Sequence, residues 1–330
     1  MPPQVTVIIL NWNGQHFLAP CLDAVLAQTF RDFALIVVDN GSTDGSIEFM
    51  RDRYPQLQLI ANERNLGFAA GNNQAIRASR SEFVVLLNND TEVEPGWLAA
   101  LVRAATDDER VGICASKMLF AHRRNVINSA GILVDRAGIA WDRQGGQIDN
   151  PQEREWEPVF GACAGAALYR RAMLDEIGLF DEDFFAYLED ADLAWRAQWA
   201  GWQARYVPQA RVYHHHSGTA REGSPFKNHL LGRNKIWMIA KNYPLLPWYL
   251  PVIVSYDVAA VAYTLLRNRD ASPLQGRLAS LRGIPAMLRK RRMIQRRRRV
   301  KGREILRRLE PLSSPWRIPE RYDHLQGLAG

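Results

Sequence analysis

Cysteine is scarce in this 330-residue chain. Cys21, Cys114 and Cys163 lie far apart, are odd in number and show no CxxC spacing, which excludes a disulfide framework or a zinc knuckle as the organising device and fits a reducing compartment. The start, Met-Pro-Pro-Gln running into Val5 to Leu10, lacks the basic segment and cleavage pattern of a signal peptide. It reads as a first strand, and the body is expected to stay in the cytosol. No internal repeat is visible, which argues against a solenoid or a propeller. An uninterrupted membrane span is missing too. The most apolar stretch, Leu245 to Leu266, is broken by Pro247, Pro251 and Asp257, whereas a span needs about 20 apolar residues and a charge near its middle costs about 2.5 to 3.5 kcal/mol. An interfacial or re-entrant element suits this stretch best, with a true span and a buried soluble helix as the other readings.

What is present is apolar mass and a rhythm. At 47% hydrophobic residues the chain can bury a large core, as one large domain or two smaller ones. Strand-like and helix-like runs alternate through the N-terminal third: Val5 to Leu10 and Gln15 to Ala27, Ala34 to Asp39 and Ser46 to Tyr54, Leu57 to Ala61 and Gly71 to Ala78, Phe83 to Asn88 and Gly96 to Ala105. This alternation predicts βαβ units around a mainly parallel sheet, with ligands at the carboxyl ends of the strands. Residues 111–170 change character, with short strand-like runs (Val111 to Ala115, Gly131 to Val134, Val159 to Tyr169) among polar, Gly-rich stretches such as Arg143 to Asn150. They are expected to form a mixed-sheet extension whose loops shape an acceptor pocket. Asp190 to Trp199 reads as a helix with acids in its first turn and Gly201 past its end.

The formal charge of +7 hides an asymmetry. Arg267 to Glu310 hold 16 Lys/Arg against 3 Asp/Glu, or +13, while residues 1–266 sum to −6. An acidic body thus carries a basic tail. The run Arg289 to Arg299 suits a solvated tail, a nucleic-acid contact or, beside the apolar stretch, an anionic lipid surface, with Met293, Ile294 and Val300 interleaved as in a shallow interfacial helix.

Four polar clusters are candidates for chemistry. Asp39 closes the run Leu35 to Val38 and precedes Asn40-Gly41-Ser42-Thr43-Asp44-Gly45. Its carboxylate can bind a nucleobase imide or a ribose hydroxyl, or it can simply build a local turn while Asp44 caps the next helix. Asn88-Asn89-Asp90 ends the run Phe83 to Leu87, where one Asp can seat a hard cation that substrate phosphates complete, or can make a strand-end turn. Glu189, Asp190 and Asp192 crowd a helix start, where carboxylates cap the backbone and Asp192 can pair with Arg196, while two adjacent acids under partial burial can keep one as a base. Of His214-His215-His216, at most His214 and His216 share a face.

Taken in order, Val5-Thr6-Val7-Ile8-Ile9-Leu10-Asn11-Trp12-Asn13, Val38-Asp39-Asn40-Gly41-Ser42-Thr43-Asp44, Asn65-Leu66-Gly67-Phe68-Ala69-Ala70-Gly71-Asn72, Leu87-Asn88-Asn89-Asp90 and Glu189-Asp190-Ala191-Asp192-Leu193-Ala194-Trp195-Arg196 resemble glycosyltransferase family 2, most closely its rhamnosyltransferase-like branch in bacterial cell-surface polysaccharide synthesis. The resemblance covers about residues 4–240. It implies a GT-A α/β fold and inverting transfer from a nucleotide-diphosphate sugar, with a divalent cation (Mg²⁺ or Mn²⁺). Residue by residue, it makes Asp190 the general base and Asp39 the base contact. Asp90 becomes the acid of a DxD-type motif, which here is Asn-Asn-Asp, and His214 a helper for metal or diphosphate. Asn11, Asn65, Asn72 and Asn89 would complete the nucleotide-sugar site, and Glu189, Asp192 and Arg196 would lie on the acceptor side.

The expected organisation is a glycosyltransferase domain over residues 1–243, with a nucleotide-binding half (1–110) and an acceptor-side half (111–243), then an apolar and basic helical region over 244–330 that meets an anionic membrane surface. The expected enzyme moves L-rhamnose from dTDP-L-rhamnose to a glycan or lipid-linked acceptor at the cytoplasmic face of a bacterial membrane. A UDP-sugar enzyme (galactofuranosyl- or N-acetylglucosaminyltransferase) is the alternative within the class. A basic nucleic-acid-binding protein is the alternative outside it, disfavoured because the basic charge sits in the tail rather than in a groove.

Overall fold

The computed structural model describes residues 1–215 and 224–312. Its first half is built as the alternating runs dictate: β1 (Val5–Asn11), α1 (Gln15–Leu26), β2 (Phe33–Asp39), α2 (Ser46–Arg53), β3 (Gln58–Ala61), α3 (Gly67–Ala78), β4 (Phe83–Asn88), the short β5 (Thr91–Val93) and α4 (Trp97–Thr106). Strands β6 (Val111–Phe120), β7 (Arg123–Ser129), β8 (Ile132–Val134), β9 (Ala140–Asp142), β10 (Glu157–Val159) and β11 (Ala166–Arg170) follow. Next come α5 (Arg171–Ile177), α6 (Glu189–Ala200) and β12 (Gln203–His214). The chain closes with α7 (Pro225–Asn242), α8 (Leu246–Asn268), α9 (Ser272–Ser280), α10 (Ile284–Arg297) and α11 (Gly302–Arg308).

The main sheet has the order β10-β12-β6-β11-β4-β1-β2-β3, with β5 on β12 and β7 on β6. Pairs β4-β1-β2-β3 are parallel, and β11 inserts antiparallel between β4 and β6, so a parallel half joins a mixed half. Both faces are covered. In β1, Val5, Val7 and Ile9 enter the cluster beneath α1 and α4, while Ile8 enters the opposite cluster with Ala69 and Ile76 of α3 and Leu193 of α6. This two-sided burial explains why the strands read as continuous apolar runs.

Three expected elements change shape. The run Val159 to Tyr169 divides into the end of β10, a loop and β11, since Gly161 and Gly165 interrupt it. Helix α3 begins at Gly67 rather than Gly71, because Asn65 Oδ1 accepts from the Gly67 amide (2.8 Å) and secures the helix start four residues early. Strand β12 runs through Val207-Pro208 by way of an irregularity between Val207 and Arg211, which is where a proline is tolerated in a sheet.

The basic tail is folded onto the body. Met287 of α10, Ile305 and Leu306 of α11, and Leu309 are buried in a third cluster with Trp195 and Trp199 of α6 and Trp237 and Tyr243 around α7. Ile294 and Val300 also pack there, leaving only Met293 of the interleaved trio exposed. The expected shallow interfacial helix around Met293 is therefore corrected: its apolar side faces the protein. Helix α8 is the exception to this packing. It is long and apolar enough to cross a membrane by length and composition, and only 11% of its apolar window is buried. Asp257, which interrupts it, is ion-paired to Lys235 of α7 (3.0 Å) and Arg277 of α9 (2.5 Å).

Candidate active site at the carboxyl edge of the sheet

The register places the polar strand ends side by side, with Asn11 opposite Asp39 across β1-β2 and Leu10 opposite Asn88 across β1-β4. Asn11 is the hub of this edge. Its Nδ2 donates to Asp39 Oδ2 (2.8 Å) and its Oδ1 accepts from Asn89 Nδ2 (2.7 Å). Asp39 is wholly buried, and its other oxygen accepts from the Ser42 amide (2.8 Å), so its present contacts are those of a turn builder. That turn needs Gly41, whose φ is +78° and whose Cβ would stand 2.6 Å from the Arg64 backbone. Asp44 accepts from the Gln15 amide (2.9 Å) and the Ser46 amide (3.1 Å), joining the starts of α1 and α2. Asn40 Nδ2 donates to Asn65 Oδ1 (3.0 Å), tying the edge to α3, while Asn72 is buried and donates back to Phe68 O (2.9 Å) within the helix.

At the end of β4, Asp90 Oδ1 lies 3.2 Å from His214 Nε2 of β12. The other ring nitrogen, Nδ1, is 2.9 Å from Asn128 Oδ1. A carboxylate and an imidazole side by side in a largely buried site have the chemistry of ligands for a divalent cation. Among the described residues no group of three or more His, Cys, Asp or Glu side chains converges for a metal, so substrate oxygens would have to complete the shell. His215 contributes its amide to Asp90 O (2.9 Å), and His216 lies outside the described residues.

Asp190 reaches the same edge from the far side. Its Oδ2 accepts from the Ala164 amide (3.1 Å), and the neighbouring Gly165 carbonyl accepts from the Asn88 amide (2.8 Å). Burial pushes the Asp190 carboxyl up to about 6, against the Ala164 and Ala191 amides that pull it down. Glu189 is buried, its Oε2 without a hydrogen-bond partner among the described residues, and burial together with the Asp190 charge holds its carboxyl well above the usual range. The structure thus joins Asn11, Asp39 and Asn89 in one hydrogen-bonded set, pairs Asp90 with His214, and ties Asp190 to the Ala164–Gly165 segment that holds Asn88.

Asp192 and Arg196 have a different task. Asp192 is wholly buried, with Oδ2 accepting from Arg196 Nε (2.9 Å) and Lys241 Nζ (2.8 Å) and Oδ1 from Asn242 Nδ2 (2.7 Å). Burial would raise it, but Lys241 and Arg196 hold it below the usual range. Arg196 spends its remaining donors on the carbonyls of Ile177, Gly178 and Leu179. The contacts of this pair, expected on the acceptor side, fix α6 to α7 and to the turn before it.

Sequence reasoning missed the residues that hold the approach to α6. Phe185, Tyr187 and Leu188 all have positive φ (64°, 70° and 65°), which is costly for non-glycine residues. Asn234 of α7, itself fully buried, answers that strain by donating Nδ2 to the carbonyls of Phe184 (3.0 Å), Ala186 (2.8 Å) and Tyr187 (2.8 Å). From the other side, Phe185 O accepts from the Ala69 amide (3.1 Å), and Gly67 (φ +85°) leaves room for the Phe185 ring. The available signal was the set Asn234, Lys241 and Asn242, polar residues at helical spacing along an otherwise apolar face of α7.

A parallel half joined to a mixed half, with a polar carboxyl edge that carries Asn11, Asp39 and Asp90, defines the class of GT-A glycosyltransferases. The fold is shared with GalNAc-T7 solved with UDP, GalNAc and Mn²⁺ (TM-score 0.64, 16% identity, 85% of this chain and 55% of that one). It is shared also with the Pyrobaculum calidifontis mannosyltransferase PcManGT solved with GDP-Man and Mn²⁺ (TM-score 0.51, 19% identity, 89% and 87%). Residues 6–178 match the sequence model of glycosyl transferase family 2, and the chain belongs to that family. The N-acetylglucosaminyl-diphospho-decaprenol L-rhamnosyltransferase of Mycobacterium tuberculosis is 29% identical over 258 residues, 71% of this chain and 83% of that protein. The O-antigen biosynthesis protein RfbC of Myxococcus xanthus is 30% identical over 232 residues, 66% of this chain but only 18% of its own length.

Proposed function

We propose that this chain transfers a sugar with inversion from a nucleotide-diphosphate donor to a glycan or lipid-linked acceptor, and that the donor is dTDP-L-rhamnose. The observation that carries the reading is Asp190, a carboxylate raised toward neutrality by burial and bonded to the Ala164 amide, next to the Gly165 carbonyl that holds the Asn88 amide at the end of β4. A base poised there takes the acceptor hydroxyl's proton as that oxygen attacks the anomeric carbon. Asp39 and the turn it shapes seat the nucleobase, with Asn11, Asn65, Asn72 and Asn89 supporting the nucleotide sugar. Asp90 and His214 would hold a divalent cation, which supplies charge neutralisation for the departing diphosphate. Support for the rhamnosyl donor and the lipid-linked acceptor comes from the name of the mycobacterial relative, and a GT domain over 1–243 with a membrane-associating region over 244–330 accords with the exposed, apolar α8.

A panel of dTDP-L-rhamnose, UDP-galactofuranose and UDP-N-acetylglucosamine, each with and without Mn²⁺ or Mg²⁺, tests this. Turnover chiefly of the dTDP sugar is expected. Preference for a UDP sugar would replace the donor, and no transfer or donor hydrolysis with any of them would remove the activity.

A further inference from the structure

The C-terminal helices border a second cavity whose lining includes none of the sheet-edge residues. A cavity of about 520 Å³ lies between the end of α6, the Pro244–Pro247 turn, α10 and the start of α11, and Arg291, Gln295, Arg298, Lys301 and Arg303 line it. Among the described residues no carboxylate lines it. Elsewhere the basic run finds acids, since Lys290 pairs with Asp181 and Asp183, and Arg299 with Glu176. None of Arg291, Arg298, Lys301 and Arg303 makes an ion pair with a carboxylate among the described residues. Arg291 is half-buried, and burial alone depresses it. Gln295 turns Oε1 to Arg298 (3.0 Å), which leaves its buried Nε2 without an acceptor among the described residues.

Cations gathered without acids, beside an unsatisfied buried donor, are complementary to a phosphate. The source of that phosphate is indicated by what adjoins it. Leu245, Leu246 and Pro247 form one wall, and from there α8 carries Trp248, Leu250, Val254 and Val258 outward, each 47–82% exposed, while Ile253 and Asp257 face the protein. We propose that the cavity binds the phosphate of an anionic phospholipid headgroup, with the acyl chains lying along this stripe of α8. The proposal deepens the membrane association proposed above and rests on it. Arg298 and Gln295 donate to the phosphate oxygens from α10, Lys301 neutralises from the loop, and the indole of Trp248 sits at the headgroup level.

Co-sedimentation of the full chain with phosphatidylglycerol/phosphatidylcholine vesicles and with phosphatidylcholine alone tests it. The cavity double variant R298Q/K301Q is compared with R289Q/R292Q, which removes the same charge from exposed positions of α10 outside the cavity lining. The cavity pair is expected to weaken binding to the anionic vesicles by at least about tenfold, since each charge near such a surface is worth roughly fivefold and this pair also contacts the phosphate itself. The control pair should lose clearly less, and donor hydrolysis should be unchanged in both. Equal loss from the two pairs would overturn the cavity while leaving membrane association standing. Release by millimolar glycerol phosphate without any preference for anionic vesicles would make a soluble phosphate the ligand and overturn the lipid. Binding to neither vesicle would overturn both this inference and the membrane reading, without touching the donor assay.

Discussion

Asp190 and Asp192 differ by two positions and by everything that decides chemistry. On a helix they are about 200° apart, so one faces the sheet edge and the other enters the core. The sequence marks both as first-turn acids, and only packing against Lys241 and Asn242 separates the proposed base from a buried ion pair. Asp190→Asn is expected to lower transfer by about 10²–10⁴-fold while donor affinity by calorimetry stays near that of the parent, because an amide keeps the shape and cannot take the proton. The transfer rate of the parent should rise with pH through about 6. The stability sign is opposite: a carboxyl raised on folding supports the fold at low pH and loses that contribution as pH rises from its unfolded value near 4 through about 6. Urea titrations should therefore show the stability advantage of the parent over Asp190→Asn shrinking between pH 4.5 and 8; a constant difference would contradict the raised carboxyl. Asp90→Ala should weaken donor binding in a Mn²⁺ titration more than His214→Ala does, since the carboxylate offsets cation charge directly. Unchanged binding by Asp90→Ala would remove it from the donor site.

At the scale of elements, the strands were legible because two-sided burial writes itself as apolar runs, and the strand-end positions of Asn11, Asp39 and Asp90 followed from them. The clamp on α6 was not legible. It joins Asn234 to carbonyls 47 to 50 positions earlier, and nothing local announces a contact of that separation. Left-handed Phe185, Tyr187 and Leu188 cost about 1 to 3 kcal/mol each, so removing the donor that serves three carbonyls should let this turn relax and carry Asp190 with it. Asn234→Ala is expected to lower kcat by about ten- to a hundredfold with donor KM little changed, and to shift the pH midpoint of kcat as Asp190 loses its fixed environment. A general loss of folded protein would instead reduce active-site titre while leaving kcat per site and the pH midpoint where they were.

For the whole molecule, composition and charge describe an acidic body with a basic tail, and read alone they suggest a detachable appendage. The structure makes that tail part of the core. Met287, Ile305, Leu306 and Leu309 are buried against Trp195, Trp199 and Tyr243, and Lys290 reaches Asp181, which also holds Lys241 (2.6 Å) beside Asp192. The charge asymmetry is thus partly an attraction between tail and body, which no count along the chain can reveal. Burial of four such side chains contributes roughly 6 to 12 kcal/mol, comparable with the entire stability of a typical domain at about 5 to 15 kcal/mol. Deleting residues 267–330 is therefore expected to leave a chain that aggregates or melts well below the parent, with donor binding lost for want of a folded α6 rather than for want of donor contacts. Calorimetric melting and donor titration of the truncated chain check this: a cooperative transition near the parent's temperature, with donor affinity intact, would show that the C-terminal helices are accessory and that α6 holds its place without them.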